Sequence, residues 1–199
     1  MSSRADGASS FRELGKATQR REVVPVRVIT AEGRPATTRG VLYVHSCPRA
    51  VVPHVESAVA TVFGVRPELI WRDQPVLPGS LRTDVGWSGP AGSAAQLISK
   101  MKGWPELRVE VVEEPRADLP GERFVMTPDL GIHRVPVDAL GEGLIVESRL
   151  RMLVEKAGHD LAALRDGINA LIGADWEDEL EAFRWAGEGA DIRWVHRTG

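Results

Sequence analysis

Gly40-Val41-Leu42-Tyr43-Val44-His45-Ser46-Cys47-Pro48-Arg49, running into Pro53-His54-Val55-Glu56, reads as a strand that turns directly into a helix. Gly40–His45 alternates, placing Leu42 and Val44 on one face and Tyr43 and His45 on the other. Pro48 suits the first turn of a helix, with Ser46 or Cys47 as its cap. Val51, Val52, Val55, Val59, Val62 and Phe63 then recur at helical spacing, and Gly64 is placed to close the helix. Pro53 falls in the first turns, where a missing N–H matters least.

The same grammar continues outward. Glu68–Arg72 and Leu81–Trp87 read as strands, joined by a loop carrying Pro75, Pro78 and Gly79. Gly89–Gly92 leads into a second helix with Ala94, Leu97, Ile98 and Met101 inward and Gly103 as its stop, and Glu106–Val112 is a fourth strand ended by Pro115. The order β-α-β-β-α-β predicts an α+β protein with a ferredoxin-like module over residues 39–115, two helices covering one face of its sheet. Leu81, Thr83, Val85 and Trp87, and Leu107, Val109 and Val111, should point to the helices. Tyr43, Arg82, Asp84, Arg108 and Glu110 are left on the open face, either as cross-strand pairs or as a recognition surface for a partner.

Residues 116–199 form a smaller region expected to pack on this module. Arg123–Thr127 and Ile132–Val137 read as a strand pair around Pro128-Asp129-Leu130-Gly131, where Asp129 suits a local Asx-type turn. Helices are predicted at Arg149–Ala157, stopping at Gly158; at Leu161–Ile172, stopping at Gly173; and at Trp176–Ala186, capped by Asp175. Ile192–His196 suits a closing strand. At the other end, residues 1–20 have the composition of a disordered tail, and residues 21–38 hold an edge strand at Val23–Thr30 and a linker.

Composition bounds the class. The 199 residues are 43% apolar and 27% charged, a globular balance, and no apolar run approaches the ~18 residues of a membrane span. The first residues lack the apolar core of a secretory leader, and a single cysteine fits a reducing compartment, so a cytoplasmic protein is expected. Residues 1–40 carry eight basic and four acidic side chains, and residues 141–199 seven basic and twelve acidic. No dense basic patch with interleaved aromatics marks a nucleic-acid surface. In the acidic C-terminal part, Trp176 and Trp185 are candidates for a partner surface.

The residues with chemistry cluster at the strand-to-helix junction. His45, Ser46, Arg49 and His54 form a candidate site for an anionic, CoA-like or phosphate-bearing ligand, since a helix start offers free N–H groups and Arg49 adds charge. A metal is not expected: His54 and Glu56 diverge by about 200° on a helix and cannot share one ion. Cys47 beside His45 raises the thought of a nucleophile, but the chain turns between them, and a buried thiol is the default. No dinucleotide, Walker, zincin or nucleophile-elbow string is present, and no catalytic residue or cofactor is assigned.

The strings Gly40–Ser46 (GVLYVHS), Pro53–Glu56 (PHVE), Gly121–Arg123 (GER) and Thr127–Ile132 (TPDLGI), in this order, resemble the DUF3145-type proteins of high-GC Gram-positive bacteria, a domain of unknown function. The resemblance runs from about Thr38 to Ile172, and Cys47 departs from the family pattern, which weakens the thiol reading. The family supplies no catalytic residues. Its genes are often found near those of type II fatty-acid synthesis, which implies a non-enzymatic accessory protein that binds an enzyme of that process, such as an acyl-CoA carboxylase. The alternative is a ligand-binding module or enzyme working at the His45/Arg49/His54 junction.

Overall fold

The computed structural model describes residues 28–30, 38–117 and 119–186. The expectations for residues 1–20, for the linker and for a strand at Ile192–His196 lie outside the described residues, as does most of Val23–Thr30. The elements are β1 (Val28–Thr30), β2 (Thr38–Pro48), a 3₁₀ turn (Arg49–Val51), α1 (Val52–Phe63), β3 (Arg72–Asp73) and β4 (Ser80–Gly89). They continue with α2 (Ser93–Met101), β5 (Arg108–Glu113), β6 (Gly121–Thr127), β7 (Gly131–Val137), α3 (Glu147–Ala157), α4 (Leu161–Ile172) and α5 (Ala174–Trp185).

All seven strands join one sheet in the order β1-β4-β2-β5-β6-β7, with β3 also pairing with β4. The six strands β2–β7 pair antiparallel, and β1 joins β4 in parallel. This is a mixed α/β protein. The strand expected at Glu68–Arg72 is reduced to Arg72–Asp73: residues 68–71 are irregular, and only these two residues reach β4, opposite Arg82 and Leu81. The β6–β7 hairpin does not form a separate layer: β6 pairs with β5 and extends the same sheet.

Strand alternation sorts the faces as read. Leu42, Val44, Val85, Trp87, Leu107, Val109 and Val111 are buried against Val55, Val59 and Phe63 of α1 and Leu97, Ile98 and Met101 of α2. Phe124 and Met126 of β6 complete this core. Gly40 permits the closest approach in it, since a Cβ there would lie 2.0 Å from the Val112 carbonyl oxygen and 2.2 Å from the Trp87 ring. Burial of these side chains supplies the main driving force, at about 1.5–3 kcal/mol for each large aliphatic residue.

The opposite face is not open, contrary to expectation. α5 packs across β2 and β6, burying Leu180 and Phe183, and the segment after β7 folds back so that the Leu144 N–H bonds to the Pro136 carbonyl at 2.7 Å. Helices thus cover both sides of the sheet at β6, α2 on one face and α5 on the other. α4 packs on α5, α3 packs on α4, and together α3 and α4 make a helical hairpin outside the sheet layers.

Candidate functional site

The strand-to-helix junction departs from a regular ladder at one point. On β2, Val44 pairs with Thr83 and Cys47 with Leu81, so the chain gains one residue over β4: a β-bulge. It shifts again against β5, between Val44–Val109 and Ser46–Arg108. The bulge lets His45 and Ser46 both serve the α5 side while Cys47 turns into the α1/α2 core. It also lengthens β2 to Pro48, so neither Ser46 nor Cys47 caps α1; the helix starts behind Val51 with no side-chain cap.

The carbonyl of His45, displaced by the bulge, accepts from Gln74 Nε2 at 2.6 Å, and Gln74 Oε1 accepts from the Val76 N–H at 3.0 Å. Gln74 is almost completely buried. Its amide therefore restores the bond that an irregular strand leaves open and ties the loop after β3 to the junction.

Under α5 lies a charge network. The Glu110 carboxylate faces His45 Nε2 at 3.2 Å, accepts from Arg123 Nε at 2.6 Å and accepts from Arg184 Nη2 at 3.0 Å. Arg123 and Arg184 also donate to opposite oxygens of Glu177, at 2.5 and 2.6 Å. Arg108 donates to Glu179 at 2.8 Å and to the Ser46 hydroxyl at 3.5 Å, and lies 4.6 Å over the Phe183 ring. Burial alone would raise the Glu110 carboxyl, but the His45 hydrogen bond and the charges of Arg123 and Arg184 hold it far below the usual carboxylate range. Two carboxylates and two guanidiniums thus close a neutral square that fastens α5 to the sheet.

The residues expected to form a ligand site part company here. His45 and Ser46 are buried beneath α5, whereas Arg49 is exposed and pairs with Asp73, and exposed His54 stacks on Trp104 at 5.4 Å. The expected partner surface divides as well. Arg108 and Glu110 are occupied by α5, and Trp176 donates to the Gly131 carbonyl at 3.1 Å while packing on His133. Tyr43, Asp84 and Trp185 remain exposed, and Arg82 is half-buried. Burial pushes the Cys47 thiol up to about 12, which leaves no thiolate for nucleophilic work at neutral pH.

The N-terminus of α2 already holds an anion from within the chain. Glu113 accepts from the Gly92 N–H at 2.8 Å and the Ala94 N–H at 3.0 Å. Among the described residues no group of three or more His, Cys, Asp and Glu side chains is placed to hold a metal ion, and no helix is long and apolar enough to cross a membrane. Sequence reading did not single out Arg123, Glu177, Arg184 or Gln74. A signal existed for α5 alone: Glu177, Leu180, Phe183 and Arg184 recur at helical spacing and so share one side.

The described residues therefore make a mixed α/β protein whose sheet lies between helices and is locked by a buried ion square. The chain belongs to the DUF3145 family, described as a protein of unknown function, whose model matches residues 41–197. No curated protein and no solved structure matches it.

Proposed function

We propose that this is a non-enzymatic accessory protein of the cytoplasm that binds an enzyme of fatty-acid synthesis, with an acyl-CoA carboxylase as the first candidate. In this reading β2, α1, β3, β4, α2 and β5 form a ferredoxin-like module, and β6, β7 and the C-terminal helices elaborate it. The observation that carries the reading is the division of polar groups. Those of the junction are engaged within the fold, while a strip of the sheet beside α5 stays outward.

α5 starts at β7, where Trp176 meets Gly131, and ends toward β2, with Arg184 on Glu110. Its last residue, Trp185, is 57% exposed, and Tyr43 and Asp84 pair across β2 and β4 on the same face of the sheet. An exposed indole beside mixed charge is the composition of a protein-binding anchor with a polar rim. The link to lipid synthesis rests on the family resemblance.

Biolayer interferometry against purified acyl-CoA carboxylase subunits tests this. Binding that weakens about tenfold or more in a Trp185→Ala, Asp84→Arg variant of unchanged melting temperature is expected, since 1.4 kcal/mol is one decade of affinity. No binding to any subunit overturns the partner, and binding indifferent to the two substitutions overturns the surface.

A further inference from the structure

The α3–α4 hairpin carries an exposed apolar face that no element of the described residues covers. Along α3 it consists of Leu150 and Val154, with Val146 at the N-cap, spaced by four, and on α4 of Leu161, Ile168 and Ile172, spaced by seven and four. Each set runs straight along its helix. Leu153 packs on Gly167, where a Cβ would lie 2.0 Å from Leu153 Cδ1, and this contact fixes which sides of the helices meet. With three residues between the helices they run back antiparallel. Both stripes then turn to the same side of the hairpin. All six side chains are at least 36% exposed, and Leu161 reaches 79%.

We propose that this face is the contact through which two copies of the chain form a homodimer, the two hairpins closing into a four-helix bundle about a two-fold axis. A contiguous apolar stripe on two helices of 11 and 12 residues exceeds the scattered exposure normal for a monomer. Burying it against another hairpin gives both the partner that up-and-down helices take in a bundle. The charge pattern selects a second copy over other occupants. Residues 144–172 carry four acidic and four basic side chains, which cancel, although the chain as a whole stands at −3. A neutral, interspersed surface attracts neither an anionic lipid layer nor a strongly charged partner, and it is self-complementary under a two-fold axis. The Glu147–Arg151 pair lies at the rim of the stripe, leaving its centre free of charge.

Sedimentation velocity of the full chain over a concentration series, with the variants Leu150→Glu, Ile168→Glu and Leu161→Lys, tests the proposal. The wild type should sediment at twice the 21.7 kDa of one chain, and each face variant should fall to the single-chain mass with its circular dichroism unchanged. Met152→Glu is the control: Met152 is 63% exposed but on the other side of α3, and this variant should stay dimeric. A second readout tolerates variants that fold poorly. With Cys47 fully buried, Ile168→Cys should cross-link under mild oxidation and Met152→Cys should not. A wild type at single-chain mass throughout overturns the proposal, including one that binds neutral vesicles instead. So does a dimer that survives the face substitutions with native circular dichroism, or equal cross-linking at both cysteine positions.

Discussion

Arg184 on α5 closes on Glu110 of β5 at 3.0 Å across 74 residues of chain, and this contact joins the C-terminal helix to the module read from residues 39–115. Both groups are largely withdrawn from water, so each is held at the cost of desolvation that its ion partners must offset. Glu110→Ala leaves Arg123 and Arg184 with Glu177 as their one shared carboxylate, two charges against one. It should destabilise the fold by about 3–5 kcal/mol in urea titrations, the range for breaking one side of a buried pair. Replacing the exposed Arg39–Glu114 pair should change stability by less than about 1 kcal/mol.

Acid should undo the same contact. The Glu110 carboxyl is held far below its ordinary 4.5 in the folded chain, so the unfolded chain takes up the proton first as pH falls. Its contribution is complete above about pH 4.5 and is lost progressively below it, toward the native value. Urea midpoints measured at pH 7, 5, 4 and 3 should fall steeply in the last steps for the wild type. In Glu110→Gln they should start lower and fall less steeply over those steps.

How much of this was legible before any coordinates depended on the range of the interaction. The faces of β2, β4 and β5 followed from alternation, and α4 from its apolar stripe between Asp160 and Gly173. Asp160 accepts from the Ala162 and Ala163 N–H groups, and Gly173 takes a positive φ of 72° at the other end. What escaped was non-local. No residue type announces the bulge after Val44, because one extra residue in a strand changes no composition. The charged face of Arg108 and Glu110 looked like a display surface because its occupant, α5, lies some seventy residues downstream. Single-sequence periodicity tells which side of a helix is apolar but not which sheet it meets.

Cys47 should be chemically silent. It is fully buried behind the bulge, and its thiol is pushed up to about 12. Thiolate is the reactive form, so Ellman's reagent at pH 8 should label the native chain far more slowly than the same chain in guanidinium, where one thiol should react promptly. Rapid labelling of the native protein would refute the placement of Cys47 in the core.

His133 gives a second, gentler pH response. Burial and the nearby Arg123 and Arg149 charges lower its pKa from 6.5, against the opposing pull of Glu177. Its Nε2 has no hydrogen-bond partner among the described residues, and its ring packs on Trp176 and against Gly173 at the start of α5. The unfolded chain therefore binds this proton first as pH drops below about 6.5, and stability falls from there down toward the lower native value. His133→Phe keeps an aromatic ring against Trp176. The difference in urea midpoint between pH 7.5 and 5.5 should be smaller for this variant than for the wild type.

Gln74 tests the junction itself. Its buried amide is the partner of the His45 carbonyl at 2.6 Å and of the Val76 N–H at 3.0 Å. Gln74→Leu has similar reach but neither donor nor acceptor, so it strands both backbone groups away from water. Each buried group left unpaired costs about 1–3 kcal/mol, and the substitution should destabilise the fold by at least that much. Gln74→Glu distinguishes lost shape from lost chemistry. It keeps an acceptor for Val76 but sets a carboxylate against the His45 carbonyl, so it should be destabilising at pH 7 and recover in part as acid protonates it. If Gln74→Leu folds as stably as the wild type, the bulge is held by β-pairing alone and the loop after β3 has no part in positioning His45.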